Sequence, residues 1–175
     1  MLKKILIGLG VLAALTLLMA GVGFTLPREH RATSALLLQA PPERVWEIVR
    51  DPGSLEGTWS ELDSVRRLPD RDGQEVWEQQ AGGFDMRLIV EEAVPPTRLV
   101  TRVDAADDAP FGGTWTYALS PENGGTRLSV TENGWVGNPL FRVMMRAMGT
   151  HRTLDGYLTA LAAKLGENAT PTHLP

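Results

Sequence analysis

The 175-residue chain has no cysteine, and that absence removes disulfide scaffolds, thiolate zinc sites, iron–sulfur clusters and thiol nucleophiles together. It leaves the redox compartment open, since a cysteine-free chain tolerates either side of a membrane. Charge is missing from a second place: the 22 residues Ile5 to Leu26 carry none. Acidic residues are absent from the first 26 positions, so the remaining 149 hold all 21 of them against 15 basic ones, a net charge of −6. The arginines are scattered, without the clustered basic face that phosphate neutralisation needs, and nucleic acid is not an expected partner. No second histidine stands at ligand spacing from His151, so no metal is expected, and no cofactor either. There is no internal repeat.

What is present divides the chain. As a helix, residues 5–26 span about 33 Å, enough to cross a hydrocarbon core. A buried soluble helix of that length ordinarily keeps one polar face, and this one has none. A cleaved signal peptide is the other reading, with Gly21-Val22-Gly23 as its site. An uncleaved single-span anchor over residues 1–26 is the expectation, followed by one domain over 27–166 and a disordered polar tail over 167–175. Lys3 and Lys4 place the amino terminus in the cytoplasm and the domain outside it, against an opposing pull from Arg28 and Arg31 diluted by Glu29.

Thr33 to Leu38 reads as a strand. Ala40-Pro41-Pro42-Glu43 opens a helix with apolar residues at Val45, Trp46, Ile48 and Val49, broken by Asp51-Pro52-Gly53. From Leu62 the pattern turns to strands divided at Asp70-Arg71-Asp72-Gly73, Gly82-Gly83, Pro95-Pro96 and Pro121-Glu122-Asn123-Gly124-Gly125, an antiparallel meander of about six strands. Asn138-Pro139 caps one long helix running to Leu165, its apolar stripe made of Phe141, Met144, Met145, Met148, Leu154, Leu158, Leu161 and Leu165. The sheet must bury a concave face, and this helix is the long amphipathic element available to cover it.

Several stretches in this order resemble the START-like superfamily, also called SRPBCC, which includes polyketide cyclase/dehydrase-type domains. They are Ala40-Pro41-Pro42-Glu43-Arg44-Val45-Trp46, then Trp59, then Pro110-Phe111-Gly112-Gly113-Thr114-Trp115-Thr116-Tyr117 and Gly125-Thr126-Arg127-Leu128, and lastly Tyr157-Leu158 through Leu161 to Leu165-Gly166. The resemblance covers roughly residues 32–166. It implies an α+β helix-grip fold, a curved antiparallel sheet wrapped around a long C-terminal helix, with a deep apolar cavity for lipids, sterols, polyketides or other hydrophobic molecules. It brings no universal catalytic motif with it.

Alternation puts Phe84, Met86, Leu88 and Val90 on one strand face and Phe111, Trp115, Tyr117 and Leu119 on another. Trp59, Phe84, Met86, Trp115, Tyr117, Met144, Met148 and His151 are the expected cavity residues, aromatic and thioether groups suiting an adaptable apolar pocket. Glu132 continues the face of Leu128 and Val130, and His151 with Asp155 one turn later has the spacing to orient an imidazole. His151, Glu132 and Tyr117 are therefore the acid–base candidates if the domain is a cyclase or dehydratase. The leading expectation is a membrane-anchored, non-catalytic domain that binds a hydrophobic small molecule or lipid. Arg142 and Arg146 are read as solvated, Asp104, Asp107 and Asp108 as an acidic loop, and Gly112-Gly113 as no phosphate loop, since it opens a strand.

Overall fold

The computed structural model describes residues 1–106 and 109–175; Asp107 and Asp108 of the expected acidic loop lie outside them. Helix α1 (Leu2–Thr25) leads into strand β1 (Glu29–Leu38), helix α2 (Pro42–Arg50) and a 3₁₀ turn (Pro52–Leu55). The meander follows as β2 (Leu62–Arg71), β3 (Gln74–Ala81), β4 (Phe84–Val94), β5 (Arg98–Val103), β6 (Phe111–Glu122) and β7 (Gly125–Val136). Helices α3 (Pro139–Met148) and α4 (Arg152–Lys164) and a short strand β8 (Thr172–Leu174) complete the chain.

The strands form one antiparallel sheet in the order β2-β3-β4-β5-β6-β7-β1-β8, so β1 returns to pair with β7 while β2 is the far edge. Three hairpins close through two-residue turns, Asp72-Gly73, Gly82-Gly83 and Asn123-Gly124, all with positive φ at both positions. That backbone matches the right-handed twist of the flanking strands, and glycine and asparagine adopt it at least cost. Leu38, Leu128, Leu154, Leu158 and Leu161 are fully buried where the concave face meets α4. Each such side chain contributes about 2 kcal/mol of transfer free energy.

Two expectations need correction. The single C-terminal helix is two. Gly149 sits at φ 90 with its N–H closing α3 on Met145 O, so the chain leaves helical space before His151 starts α4. Helix α4 buries Leu154, Tyr157, Leu158, Ala160, Leu161 and Ala162, while no residue of α3 is buried. The tail is ordered as well. Backbone N–H groups of Gln39 and Ala40 donate to Glu167 at 2.8 and 3.0 Å, and β8 then pairs with β1 through Thr33, Ser34 and Ala35.

Helix α1 is long and apolar enough to cross a membrane, and none of its most apolar stretch is buried by the rest of the protein. Its last turn is another matter. A Cβ at Gly23 would strike the Pro139 carbonyl, so the backbones of α1 and α3 touch there. Arg142, far from solvated, donates from Nη1 to Gly23 O and Leu26 O at 3.0 and 3.3 Å, from Nε to Val136 O at 2.9 Å, and from Nη2 to Gly137 O at 2.9 Å. A helix C-terminus carries unpaired carbonyls and partial negative charge, and a guanidinium answers both.

Arg50 donates to Glu75 through both terminal nitrogens, one at 2.8 Å, and Trp77 Nε1 donates to the same carboxylate at 2.7 Å. The Arg50 bond is the main reason the Glu75 carboxyl sits below its ordinary value of 4.5. A carboxyl depressed in the folded state adds stability above its unfolded value and loses it as pH falls through the folded one. Arg50→Ala is expected to cost about 1 kcal/mol near neutrality. The gap from wild type should shrink as acid takes the solution below 4.5, which urea melts at a series of pH values will measure.

Candidate functional site

Helix α4 covers the concave face only in part. Between the sheet, α3 and the 3₁₀ turn lies a cavity of about 540 Å³, within the range of small-molecule sites. Register explains its walls. On β6 the inward positions are Phe111, Gly113, Trp115, Tyr117 and Leu119, paired with Val136, Gly134, Glu132, Val130 and Leu128 of β7. Beyond β7 the same rows reach His30, Ala32, Ser34 and Leu36 of β1. The deepest row is leucine and closed; the outer rows face the cavity.

Trp59, Trp115, Tyr117 and Tyr157 form a connected aromatic wall. Trp59 meets Tyr157 edge-on at 5.6 Å, Trp115 meets Tyr157 edge-on at 5.8 Å, and Tyr117 lies 5.5 Å from Tyr157. At the rim, Phe84 packs edge-on against Phe111 at 5.1 Å and against Phe141 of α3 at 6.0 Å. Helix α3 thus bridges the sheet to α1, with Met144, Met145 and Met148 lining the cavity. Met144 and Met148 remain 44% and 47% exposed, so they line a mouth and not a core.

Of the residues expected from the sequence, Trp59, Phe84, Met86, Trp115, Tyr117, Met144 and Met148 line the cavity, and so does Glu132. His151 does not. It stacks on His173 of the tail at 3.9 Å, and the partner expected for it, Asp155, is taken elsewhere. Asp155 accepts from Ser34 Oγ at 2.7 Å and bonds His173 Nε2 at 2.9 Å. The carboxylate therefore stands between hydroxyl and imidazole. In a nucleophilic triad the imidazole takes the middle place, so this chain of groups has the wrong order to activate the serine. It fastens β8 and α4 to β1.

Burial raises the Tyr117 hydroxyl far above the ordinary phenol value, with a bond to Thr101 opposing and Glu132 adding to the rise. Tyr157 is raised too, chiefly by burial. Both are neutral phenols at physiological pH, able to donate hydrogen bonds and unsuited to act as bases. Two buried atoms of the cavity lining, His30 Nε2 and Trp59 Nε1, have no hydrogen-bond partner among the described residues. His30 was not expected from the sequence. Extending the alternation Leu38, Leu36, Ser34, Ala32 by one more step reaches it.

A curved antiparallel sheet gripping a C-terminal helix, with an aromatic cavity between them, defines the START-like helix-grip class. The chain belongs to the family described as polyketide cyclase / dehydrase and lipid transport, whose profile matches residues 29–168. The fold is similar to that of TTHA0849 from Thermus thermophilus, with TM-score 0.55 and 22% identity over 78% of this chain and 93% of that one. It is similar also to the ZhuI aromatase/cyclase from Streptomyces sp. R1128, with TM-score 0.61 and 16% identity over 79% and 94%. The di-domain ARO/CYC StfQ of the steffimycin biosynthetic pathway gives TM-score 0.61 and 10% identity over 77% of this chain and 50% of that one. At these identities the likeness is one of fold. No curated protein matches the chain in sequence.

Core and cavity positions are expected to separate under mutation. Leu158→Ala, at a fully buried site, should cost about 2–5 kcal/mol in urea unfolding. Met144→Ala and Met148→Ala should stay within about 0.5 kcal/mol of wild type, as exposed positions do.

Proposed function

We propose that the chain is a membrane-anchored, non-catalytic domain that holds a hydrophobic small molecule or lipid in its internal cavity. Residues 1–26 serve as the anchor and 27–166 as the binding domain. The observation that carries this reading is the joint between them. The helix that closes the cavity mouth, α3, is tied by Arg142 to the end of the apolar helix α1, and presents exposed methionines beside that joint. A mouth at the bilayer surface receives an apolar ligand without passing it through water, where exposed apolar surface costs about 25 cal/mol per Å². Lys3 and Lys4 favour a cytoplasmic amino terminus. Arg28 and Arg31 on the other flank pull against them, diluted by Glu29. On the lysine pair we assign the domain to the non-cytoplasmic side.

A cyclase or dehydratase activity is the second reading, favoured by Glu132 and Tyr117 facing the same cavity. The test for both is solvent extraction of the purified full chain followed by mass spectrometry. A stoichiometric apolar compound, recovered with unchanged mass after re-incubation with fresh protein, is the expected result. Loss of water or ring closure in the recovered compound would establish the second reading. A protein that yields no compound and takes none up from a lipid extract would overturn the first.

A further inference from the structure

We propose that His30 and Glu132 form a hydroxyl-binding site at one end of the cavity, so that the molecule held there is an apolar alcohol or phenol. The inference rests on the cavity-binding reading and names the ligand class for it. His30 Nε2 lies 3.5 Å from Glu132 Oε1, with the side chains 15% and 23% exposed. That separation is longer than a normal hydrogen bond, and the imidazole nitrogen is buried without a partner among the described residues. A buried donor or acceptor left unpaired carries its full desolvation cost.

The sheet makes room for the pair. His30 pairs with Gly134, which pairs in turn with Gly113. A Cβ at Gly134 would stand 2.5 Å from His30 Cε1, 2.8 Å from His30 Nε2 and 3.3 Å from Glu132 Oε1, so the bare glycine is what lets the imidazole lie against the strand beside the carboxylate. The neighbouring inward positions are apolar: Ala32 and Trp115 flank Glu132 in its row. Two polar groups therefore converge in a lining that is otherwise largely aromatic and aliphatic.

Chemistry then selects the occupant. With the imidazole proton assigned to Nε2, a hydroxyl accepts from Nε2–H while donating to the carboxylate, and satisfies both groups at once. A ketone only accepts and leaves Glu132 unanswered. A fatty-acid carboxylate meets the Glu132 charge, and a hydrocarbon satisfies neither group. The site lies beside the start of β1, Glu132 one inward row and His30 two rows out from Tyr117 and Val130. The hydroxyl is thus held toward the α1 end of the sheet, while the apolar body reaches inward to Trp115, Tyr117 and Tyr157.

The test uses the full chain in phosphatidylcholine nanodiscs, with 2-naphthol and its isostere 2-methylnaphthalene as probes and empty nanodiscs as the calorimetric blank. The ratio of the two dissociation constants is compared among wild type, His30→Phe and Glu132→Gln, which cancels the differing hydrophobicity of the probes. The preference for the naphthol is expected to fall about ten-fold in either variant, as loss of a charge-assisted bond does. Affinity for 2-methylnaphthalene should hold within about two-fold in both, which also reports that the variants fold. A ratio unchanged in both variants would overturn the hydroxyl site while leaving cavity binding intact. No binding of either probe to wild type would overturn the cavity reading, and this inference with it.

Discussion

The longest strands of the sheet, β6 and β7, have 12 residues each, and the helix that fills their concave face, α4, has 13. At the rise per residue of each element, the strands extend about 40 Å and the helix about 20 Å. One helix of that length cannot cover the face. Where α4 lies, Leu36, Leu119 and Leu128 are matched by Leu154, Leu158 and Leu161 and the interior is closed. Toward its first turns Tyr157 meets Trp115 and Tyr117, and beyond them the strands go on to line the cavity with Glu132 and Phe111. The cavity follows from this mismatch of lengths, and the break at Gly149 is what lets α3 swing across the mouth.

Helix α3 could not perform that task through its own packing, since it buries none of its residues. It is held by contacts at its two sides. Phe141 meets Phe84 at the far rim, and Arg142 binds carbonyls of α1 and of the segment that follows β7. An element of low local burial, fixed by few contacts, belongs to the part of a structure that opens at least cost. The same few contacts join the apolar amino-terminal helix to the helix that borders the cavity.

Much of the fold was legible because local chemistry decides it. Asp72-Gly73, Gly82-Gly83 and Asn123-Gly124 specify tight hairpins whatever surrounds them, and alternation along β4 and β6 sorts the cavity face from its opposite. Other features lay beyond local reading. The apolar stripe of the last helix has no member between Met148 and Leu154, a gap of nearly two turns that marks the break, yet helix propensity alone carries through it. The tail has no periodicity, because β8 is held by backbone pairing to β1 and by His173 meeting Asp155. Arg142 does face away from the cavity, as its helical position requires, but two of its four partners, the carbonyls of Gly23 and Leu26, are 119 and 116 residues away in sequence. His151 sits at the right spacing from Asp155 for a pair, and the tail histidine takes its place.

The central claim is that the cavity mouth at α3 rests on the bilayer that α1 enters. The absence of cysteine from the chain allows one probe to be placed without background. A bimane label at Met148→Cys would sit on the exposed rim of the mouth, and one at Asn123→Cys at the hairpin on the opposite end of β7. The full chain would be reconstituted in bilayers of lipids brominated near the headgroup, and quenching of each label measured. Strong quenching at position 148 with none at 123 is the predicted result. Equal quenching at the two positions, or none at 148, would contradict the account.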